Sequence, residues 1–177
     1  EAGFHRAFEW QRERSRQDYF AGKVEEQVTQ AVIDGKTDFV GYGVEGAVQA
    51  AVRAVLVDGV RTGILREGEE GEIVLDATPF YAESGGQAAD TGFLHRAGAR
   101  ARVLDTVYRG TIITHRVHMD SGTLQEGDAV EAAVDLERRR RTMKNHTATH
   151  LLQSALQRTL GAHVKQAGSL VTPERLR

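Results

Sequence analysis

The stretch DLERRRRTMKNHTATHLLQSALQRTLG, from Asp135 to Gly161, decides how the chain is organised. Asp135 is a residue type that caps helix N-termini, and a glycine such as Gly161 commonly follows a helix C-terminus. No proline interrupts the residues between them. The stretch therefore predicts one continuous helix.

The second half of this predicted helix carries an apolar stripe, made of Ala148, Leu151, Leu152, Ala155, Leu156 and Leu160. Spacings of three and four residues place these side chains on one helix face, which is typical of a helix that packs on a core. A face of this kind that stays uncovered is a surface through which two copies of the chain can dimerise.

Two histidines, His146 and His150, lie four residues apart on the same predicted helix. This spacing places both imidazoles on one face, as in helices that offer two nitrogen ligands to one metal ion. Thr149 points toward the same place, since it follows His146 by three residues. Histidines at this spacing also occur by chance, and Thr147 stands where a metalloprotease helix has its glutamate base. A closed zinc site here needs further ligands, and the chain has no cysteine.

Composition is that of an ordinary globular protein. Of the 177 residues, 40% are hydrophobic and 27% are charged, and the formal net charge is −2. Any contact with nucleic acid must therefore be local. No apolar run approaches the roughly 18 residues of a membrane span, and the start EAGFHRAFEW lacks the apolar core of a signal peptide. We expect a soluble, cytoplasmic protein with no membrane contact, and a piece of a longer chain.

The residues before the helix divide into two regions. Residues 1–34 are rich in Glu, Gln, Arg and Ala and predict a connecting helix, whose run EWQRERSRQD is either a solvated face or an RNA contact. Residues 37–135 predict a small antiparallel β-barrel or sandwich with the strands FVGY, AVRAVLV, TGILRE, GEIVLD, RARVLDTVY, TIITHRVHM and DAVEAAVD. EGAVQAAVRAVL also fits a helix, but the Asp58–Gly59 turn after it favours a strand. His115 and His118 face opposite sides of their strand, so we expect no shared metal.

A glycine-rich loop, TPFYAESGGQAADTG, interrupts the strands between residues 78 and 92. Gly85 and Gly86 permit backbone conformations closed to other residues and a close approach by a ligand. Ser84, Gln87 and Asp90 supply hydrogen-bonding groups beside them. The loop is either a simple turn or a binding loop, and it matches neither the dinucleotide-binding nor the P-loop pattern.

The run HVKQAGSLV after the long helix predicts a strand. It places Val164, Gln166, Gly168 and Leu170 on one face. Gln166 among such neighbours requires a polar partner.

Together these stretches resemble the bacterial-type alanyl-tRNA synthetases, at the end of the tRNA-recognition region and the N-terminal part of the editing domain. The matching runs are TDFVGYG at 37–43, LDATPFYAESGGQAADTG at 75–92 and KNHTATHLLQSALQRTLGAHVKQAGSLV at 144–171. With the preceding helix they cover nearly the whole chain, and the loop and the NHTATHLL run are specific in combination.

The resemblance implies hydrolysis of tRNA(Ala) wrongly esterified with serine or glycine. It implies zinc held by His146 and His150 together with a downstream Cys and His that this chain lacks. It assigns Thr149 and Gln166, as catalytic residues, to amino-acid recognition or water positioning. The loop residues Ser84, Gly85, Gly86 and Gln87 are implied to place the tRNA acceptor end. ATP and magnesium belong, on this resemblance, to the synthetic domain of the longer protein.

Physical arguments support such an activity. A synthetase pocket for alanine rejects serine only by roughly a hundredfold, whereas a second site that hydrogen-bonds the serine hydroxyl discriminates far more strongly. A bound zinc either orients the aminoacyl end or polarises a water. The cations Arg140, Arg141 and Lys144, in the basic run that opens at Arg138, either contact acceptor-stem phosphates or form a solvated helix face.

The sequence therefore predicts an α+β fold in three parts. These are a connecting helix at 1–34, a β-barrel at 37–135, and the first helix and strand of a zinc-dependent α/β editing subdomain at 136–177. The alternatives are a free-standing alanyl-type tRNA deacylase and a catalytically inactive RNA-binding or structural module. Without the downstream Cys and His, we expect this chain alone to have little deacylase activity.

Overall fold

The computed structural model describes residues 35–44 and 46–177. The connecting helix predicted for 1–34, including the run EWQRERSRQD, lies outside the described residues. The described part is α+β, with eleven strands followed by one long helix. In chain order the elements are β1 Asp38–Phe39, β2 Ala47–Val57, β3 Val60–Arg61, β4 Ile64–Arg66, β5 Glu70–Leu75, β6 Ala77–Thr78, β7 Gly92–Arg96, β8 Ala99–Arg109, β9 Ile112–Ser121, β10 Thr123–Gln125, β11 Ala129–Val134 and α1 Leu136–Leu160.

Six strands close into an antiparallel barrel, as the sequence predicts. Their order around the barrel is β11, β7, β8, β9, β5 and β2, and pairing of β11 with β2 completes the circle. The closing ladder runs from the Ala129–Ala51 pair to the Ala133–Ala47 pair. A closed barrel leaves none of these six strands with an unpaired edge along its paired length.

Alternating side chains of these strands fill the barrel interior. Larger core residues with at most 1% exposure are Val55, Leu65, Ile73, Leu75, Phe80, Leu94, Val103, Val117, Met119, Leu124 and Val130. The two-stranded ribbon of β4 and β10 contributes Leu65 and Leu124 to this core. A second buried cluster of four, Ala54, Leu56, Val74 and Ile112, lies on the alternate positions of β2, β5 and β9.

The ambiguous segment EGAVQAAVRAVL is a strand, which confirms that prediction. β2 runs from Ala47 to Val57 and ends in the Asp58–Gly59 turn, whose two residues have φ of 50° and 74°. These values suit the tight hairpin that joins β2 to β3. A register shift between Val52 and Ala54 explains why the apolar alternation of the sequence is imperfect there.

Two strand predictions differ from the structure, and one of the six barrel strands was not predicted. In FVGY only Phe39 is in a strand, since β1 is Asp38–Phe39 and pairs in parallel with β6. The five-residue β7 is absent from the sequence prediction because its segment GFLHR is short and half polar, yet it links β11 to β8. The strand predicted for HVKQAGSLV is wrong: residues 163–170 are irregular, and Val171 makes only isolated bridges.

The missing strand has a physical explanation. A strand needs a neighbour for its backbone groups, and alternation alone does not supply one. Among the described residues 163–171, only Val171 forms backbone hydrogen bonds with the loop after β6: its N–H donates to Gly86 O at 2.7 Å and its carbonyl accepts from Ala88 N at 2.9 Å. Gln166 is consequently exposed rather than enclosed by apolar neighbours.

The long helix has the predicted bounds. Asp135 caps it by accepting from Arg138 N at 2.9 Å, and Gly161 N donates to Gln157 O at 3.0 Å. The apolar stripe is exposed, with 67% of Leu151 and 58% of Leu160 accessible, so the expected core packing is not formed by the described residues. Dimerisation through the stripe stays a prediction. No helix in the described part has the length and apolar character to cross a membrane.

A buried histidine fixes the start of the glycine-rich loop. His115 lies inside the barrel, and His118 lies on the other side of β9, near Glu70, as the spacing predicts. His115 Nδ1 is 2.9 Å from Ile73 O, and its Nε2 is 2.7 Å from Thr78 Oγ1. Because a carbonyl only accepts, Nδ1 carries the proton and Nε2 accepts from the Thr78 hydroxyl. Burial lowers the pKa of His115 to about 4.

This depressed pKa predicts an acid-dependent loss of stability. Unfolded histidine binds a proton near pH 6.5, whereas folded His115 stays neutral down to about pH 4. The unfolded state therefore binds more protons in this window. The unfolding free energy contributed by neutral His115 is fully present above pH 6.5 and is lost as the pH falls to about 4. The total loss of unfolding free energy over this range is about 3 kcal/mol.

Urea unfolding of the wild type and of His115→Gln between pH 7 and pH 4.5 measures this contribution. The variant is expected to lose less stability on acidification than the wild type does. His118→Gln, on the same strand but partly exposed, is the matched control and should keep the wild-type slope. Identical slopes for all three proteins would contradict the assignment.

Candidate functional site

The glycine-rich loop and the long helix meet at one side-chain contact. Gln87 Oε1, at the end of the SGGQ sequence, lies 2.6 Å from His146 Nδ1. The contact joins two residues that the sequence predicts as site residues but that are 59 positions apart. With the amide oxygen as acceptor, Nδ1 carries the proton and Nε2 is the nitrogen available to a ligand.

The turn before Gln87 depends on its two glycines. Gly85 and Gly86 have φ of 59° and 80°, and Gln87 N donates to Ser84 O at 3.0 Å across them. At Gly86 a side chain is also excluded by space, because a Cβ atom there would lie 2.2 Å from Ser169 O. Any other residue at this position would push residues 169–171 away from the loop.

The segment after α1 packs on the same turn. Ser169 Oγ donates to Gly85 O at 3.3 Å, next to the pairing of Val171 with the loop. Asn145 of the helix holds the residues that follow Val171, because its Nδ2 donates to Thr172 O at 2.8 Å. Loop, helix and returning segment therefore form one unit around Gln87.

An ion pair fastens the helix to the barrel. Arg139 Nε and Nη2 donate to Asp90 Oδ2 at 3.0 and 2.5 Å, and the two side chains are only 14% and 8% exposed. Asp90 Oδ2 also accepts from Tyr81 N at 2.8 Å. Arg139 further donates to the carbonyl oxygens of Gly41, at 3.3 Å, and Pro79. The guanidinium thus holds both ends of the glycine-rich loop.

Sequence reasoning missed the role of Arg139, because it treats the arginine run either as phosphate contacts or as a solvated helix face. Consecutive helical residues point in directions about 100° apart, so a run of four arginines cannot all face solvent on a packed helix. Arg139 precedes His146 by seven residues, or two turns, and therefore shares its face. That spacing is the signal that could have identified it.

The predicted site residues on the helix form two groups, the histidine pair with Thr149 and the exposed cations. His146 and His150 have ring centroids 4.9 Å apart, so the two imidazoles are neighbours as predicted. The Thr149 hydroxyl donates to Asn145 O at 2.9 Å, which leaves its oxygen able to accept from a ligand. Arg140, Arg141 and Lys144 are exposed, and Arg141 pairs with Glu137 at 2.6 Å.

Gln166 is not brought to the site by the described structure. It is exposed in the irregular segment after α1, and it makes no hydrogen bond to Thr149 or to either histidine of the described helix.

The donor set fits part of a zinc site. His146 and His150 supply two imidazoles on one helix, and the Gln87 contact to Nδ1 is the kind of outer hydrogen bond that orients a histidine ligand. Within residues 35–44 and 46–177 there is no group of three or more His, Cys, Asp or Glu able to hold a metal ion. The described residues thus fit two of the four positions of a tetrahedral site.

The ion pair leads to a stability prediction. Arg139→Ala leaves the Asp90 carboxylate nearly buried without its cation, which is expected to cost about 3 kcal/mol of unfolding free energy. Arg140→Ala, the adjacent exposed residue of the same helix, is the control and should cost less than about 0.5 kcal/mol. Denaturant unfolding of both variants measures the difference. Equal costs would show that Arg139 does not anchor the helix.

Comparison with known proteins establishes the family. The family model described as tRNA synthetases class II (A) matches residues 1–138. The chain is 47% identical over 178 residues to the alanine–tRNA ligase of Pseudomonas entomophila (strain L48), 45% over 177 residues to that of Bordetella avium (strain 197N), and 47% over 182 residues to that of Bacillus mycoides (strain KBAB4). These alignments cover 99% or 100% of this chain and 20% of each relative, so the chain spans about a fifth of the curated relatives it matches. The chain belongs to the class II (A) tRNA synthetase family.

Proposed function

We propose that the chain is part of an alanine–tRNA ligase and contributes to a site that hydrolyses tRNA(Ala) wrongly esterified with serine or glycine. The observation that carries the proposal is the contact between Gln87 and His146. It brings the SGGQ loop and the histidine pair, the two most specific motifs of the sequence, into direct contact. The alanine–tRNA ligase relatives support the same parent protein.

Selectivity for serine follows from the hydrogen bonding of Thr149. Its hydroxyl proton is used by Asn145 O, so the oxygen presents lone pairs and acts as an acceptor. A seryl ester donates its hydroxyl to such an acceptor, whereas an alanyl ester cannot, and a buried polar group left unpaired disfavours the alanyl complex. Gln166 is a second candidate for this recognition.

The remaining residues place the ester. Exposed Arg140, Arg141 and Lys144 lie within two turns of His146 and are suited to contact acceptor-stem phosphates. The turn of Gly85 and Gly86 allows the acceptor end to approach the backbone closely. His146 and His150 hold zinc together with ligands outside this chain, and a bound zinc supplies an electrophilic centre for the aminoacyl end or for a water.

In the longer protein, ATP and magnesium serve the synthetic domain, and the location is cytoplasmic. The chain described here, which provides two imidazoles, is proposed to be inactive until the downstream Cys and His complete the ligand set.

A catalytically inactive RNA-binding module is the second candidate function. One observation favours it: the described residues contain no complete set of metal ligands. The free-standing deacylase has no comparable support, since the relatives named above are ligases of which this chain covers 20%.

Release of serine from seryl-tRNA(Ala) tests the proposal. The 177-residue chain is compared with a longer protein that continues through the downstream Cys and His, and alanyl-tRNA(Ala) is the control substrate. We expect serine release by the longer protein only, with little release of alanine. Release by neither protein would support the inactive module, and release by the short chain would refute the need for further ligands.

Two threonines of the helix provide a matched pair in the longer protein. Thr149 and Thr147 each donate to the carbonyl four residues earlier, but only Thr149 lies on the face of His146. Thr149→Val is expected to lower the preference for serine over alanine by tenfold or more. Thr147→Val should leave it unchanged. The same effect in both variants would remove Thr149 from amino-acid recognition.

A further inference from the structure

Four aromatic side chains from three separate segments cluster beside the candidate site. Phe39 packs edge to face with Tyr42, at 5.0 Å between ring centroids, and with Tyr81, at 6.3 Å. Tyr108 lies on the adjacent β8, two residues beyond Thr106, whose carbonyl accepts from Glu83 N at 3.0 Å, two residues beyond Tyr81. Burial raises the pKa of the Tyr81 phenol. We call these four residues the aromatic cluster.

Core packing does not explain the aromatic cluster. Tyr42 is 84% exposed and Tyr108 is 46% exposed, and neither belongs to the buried clusters of the barrel. The described residues contain three tyrosines, and all three lie in this cluster. Single exposed aromatic residues are common, but several that converge from different segments indicate a contact surface.

The cluster borders both halves of the candidate site. The Tyr81 hydroxyl donates to Ser84 O at 3.4 Å, at the start of the SGGQ turn. On the other side, Gly41, which precedes Tyr42, accepts from Arg139 in the first turns of α1. The rings therefore occupy the surface between the turn and the basic start of the helix.

Charge decides which partner this surface fits. Arg140 and Lys144 of the helix are exposed cations, whereas Arg141 pairs with Glu137 at 2.6 Å and Asp38, beside Phe39, is offset by Lys36 at 2.7 Å. Exposed rings next to cations are the combination that binds unpaired nucleotides, because bases stack on the rings and phosphates meet the cations. A polypeptide partner carries neither bases nor phosphates, so it does not require exposed rings beside cations.

We propose that Tyr42, with Tyr81 and Tyr108, forms a platform on which unpaired bases of an RNA 3′ end stack as the end approaches the candidate site. This deepens the proposed function and rests on it, since the RNA is the one whose ester the site hydrolyses. The platform is sequence-tolerant, because every base presents a stacking face. It orients the strand before the ester reaches Gln87 and His146.

Fluorescence of 2-aminopurine tests the platform directly. The probe is an RNA hairpin with a short unpaired 3′ tail that carries this base, and the same hairpin with a blunt end is the second probe. Binding of the tailed hairpin to the 177-residue chain is expected to quench the fluorescence. Tyr42→Ala should weaken that binding roughly tenfold and reduce the quenching. Blunt-hairpin binding should not change.

Two variants control the result. Tyr42→Phe keeps a ring and should retain both quenching and affinity, whereas Leu160→Ala removes an exposed apolar side chain elsewhere and should have no effect. Unchanged quenching in Tyr42→Ala, an equal loss for both hairpins, loss in Tyr42→Phe, or no binding by the wild type would each overturn the platform. Serine release is measured separately, so absent hydrolysis with intact quenching counts against the proposed function alone.

Discussion

The nearly buried ion pair between Arg139 and Asp90 is the interaction on which the site depends. Removing two charges from water costs several kcal/mol for each ion unless hydrogen bonds compensate. Here the carboxylate also accepts from the backbone of Tyr81, and the guanidinium also donates to the carbonyl oxygens of Gly41 and Pro79. Because these partners belong to the segment after β1 and to the loop, the pair fixes where α1 begins relative to the barrel.

The barrel determines the remaining geometry of the loop. Inside it, His115 is held neutral by burial and accepts a hydrogen bond from the Thr78 hydroxyl at the end of β6, where the loop begins. Asp90 holds the other end of the loop, and Gly86 lies so close to the segment after α1 that a side chain does not fit. These constraints bring the Gln87 amide to His146. The same groups that stabilise the fold therefore position the candidate chemistry.

Local features of the sequence were enough to predict the elements but not their assembly. The helix was predictable from Asp135 and its uninterrupted length, and the barrel from short alternating runs between turns. The Gln87–His146 contact joins residues 59 positions apart and appears only after the barrel closes. Arg139 is hidden in a run of identical residues, and alternation at 163–171 gave a false strand because a strand also needs a neighbour.

We infer that the loop amide orients His146 so that Nδ1 is protonated and Nε2 is available to a ligand. Nitrogen-15 NMR of the imidazole rings, recorded in the metal-free 177-residue chain near pH 8, measures this tautomer directly. We expect a protonated Nδ1 in the wild type and loss of that preference in Gln87→Ala. A protonated Nε2 in the wild type, or the same tautomer in both proteins, would contradict it.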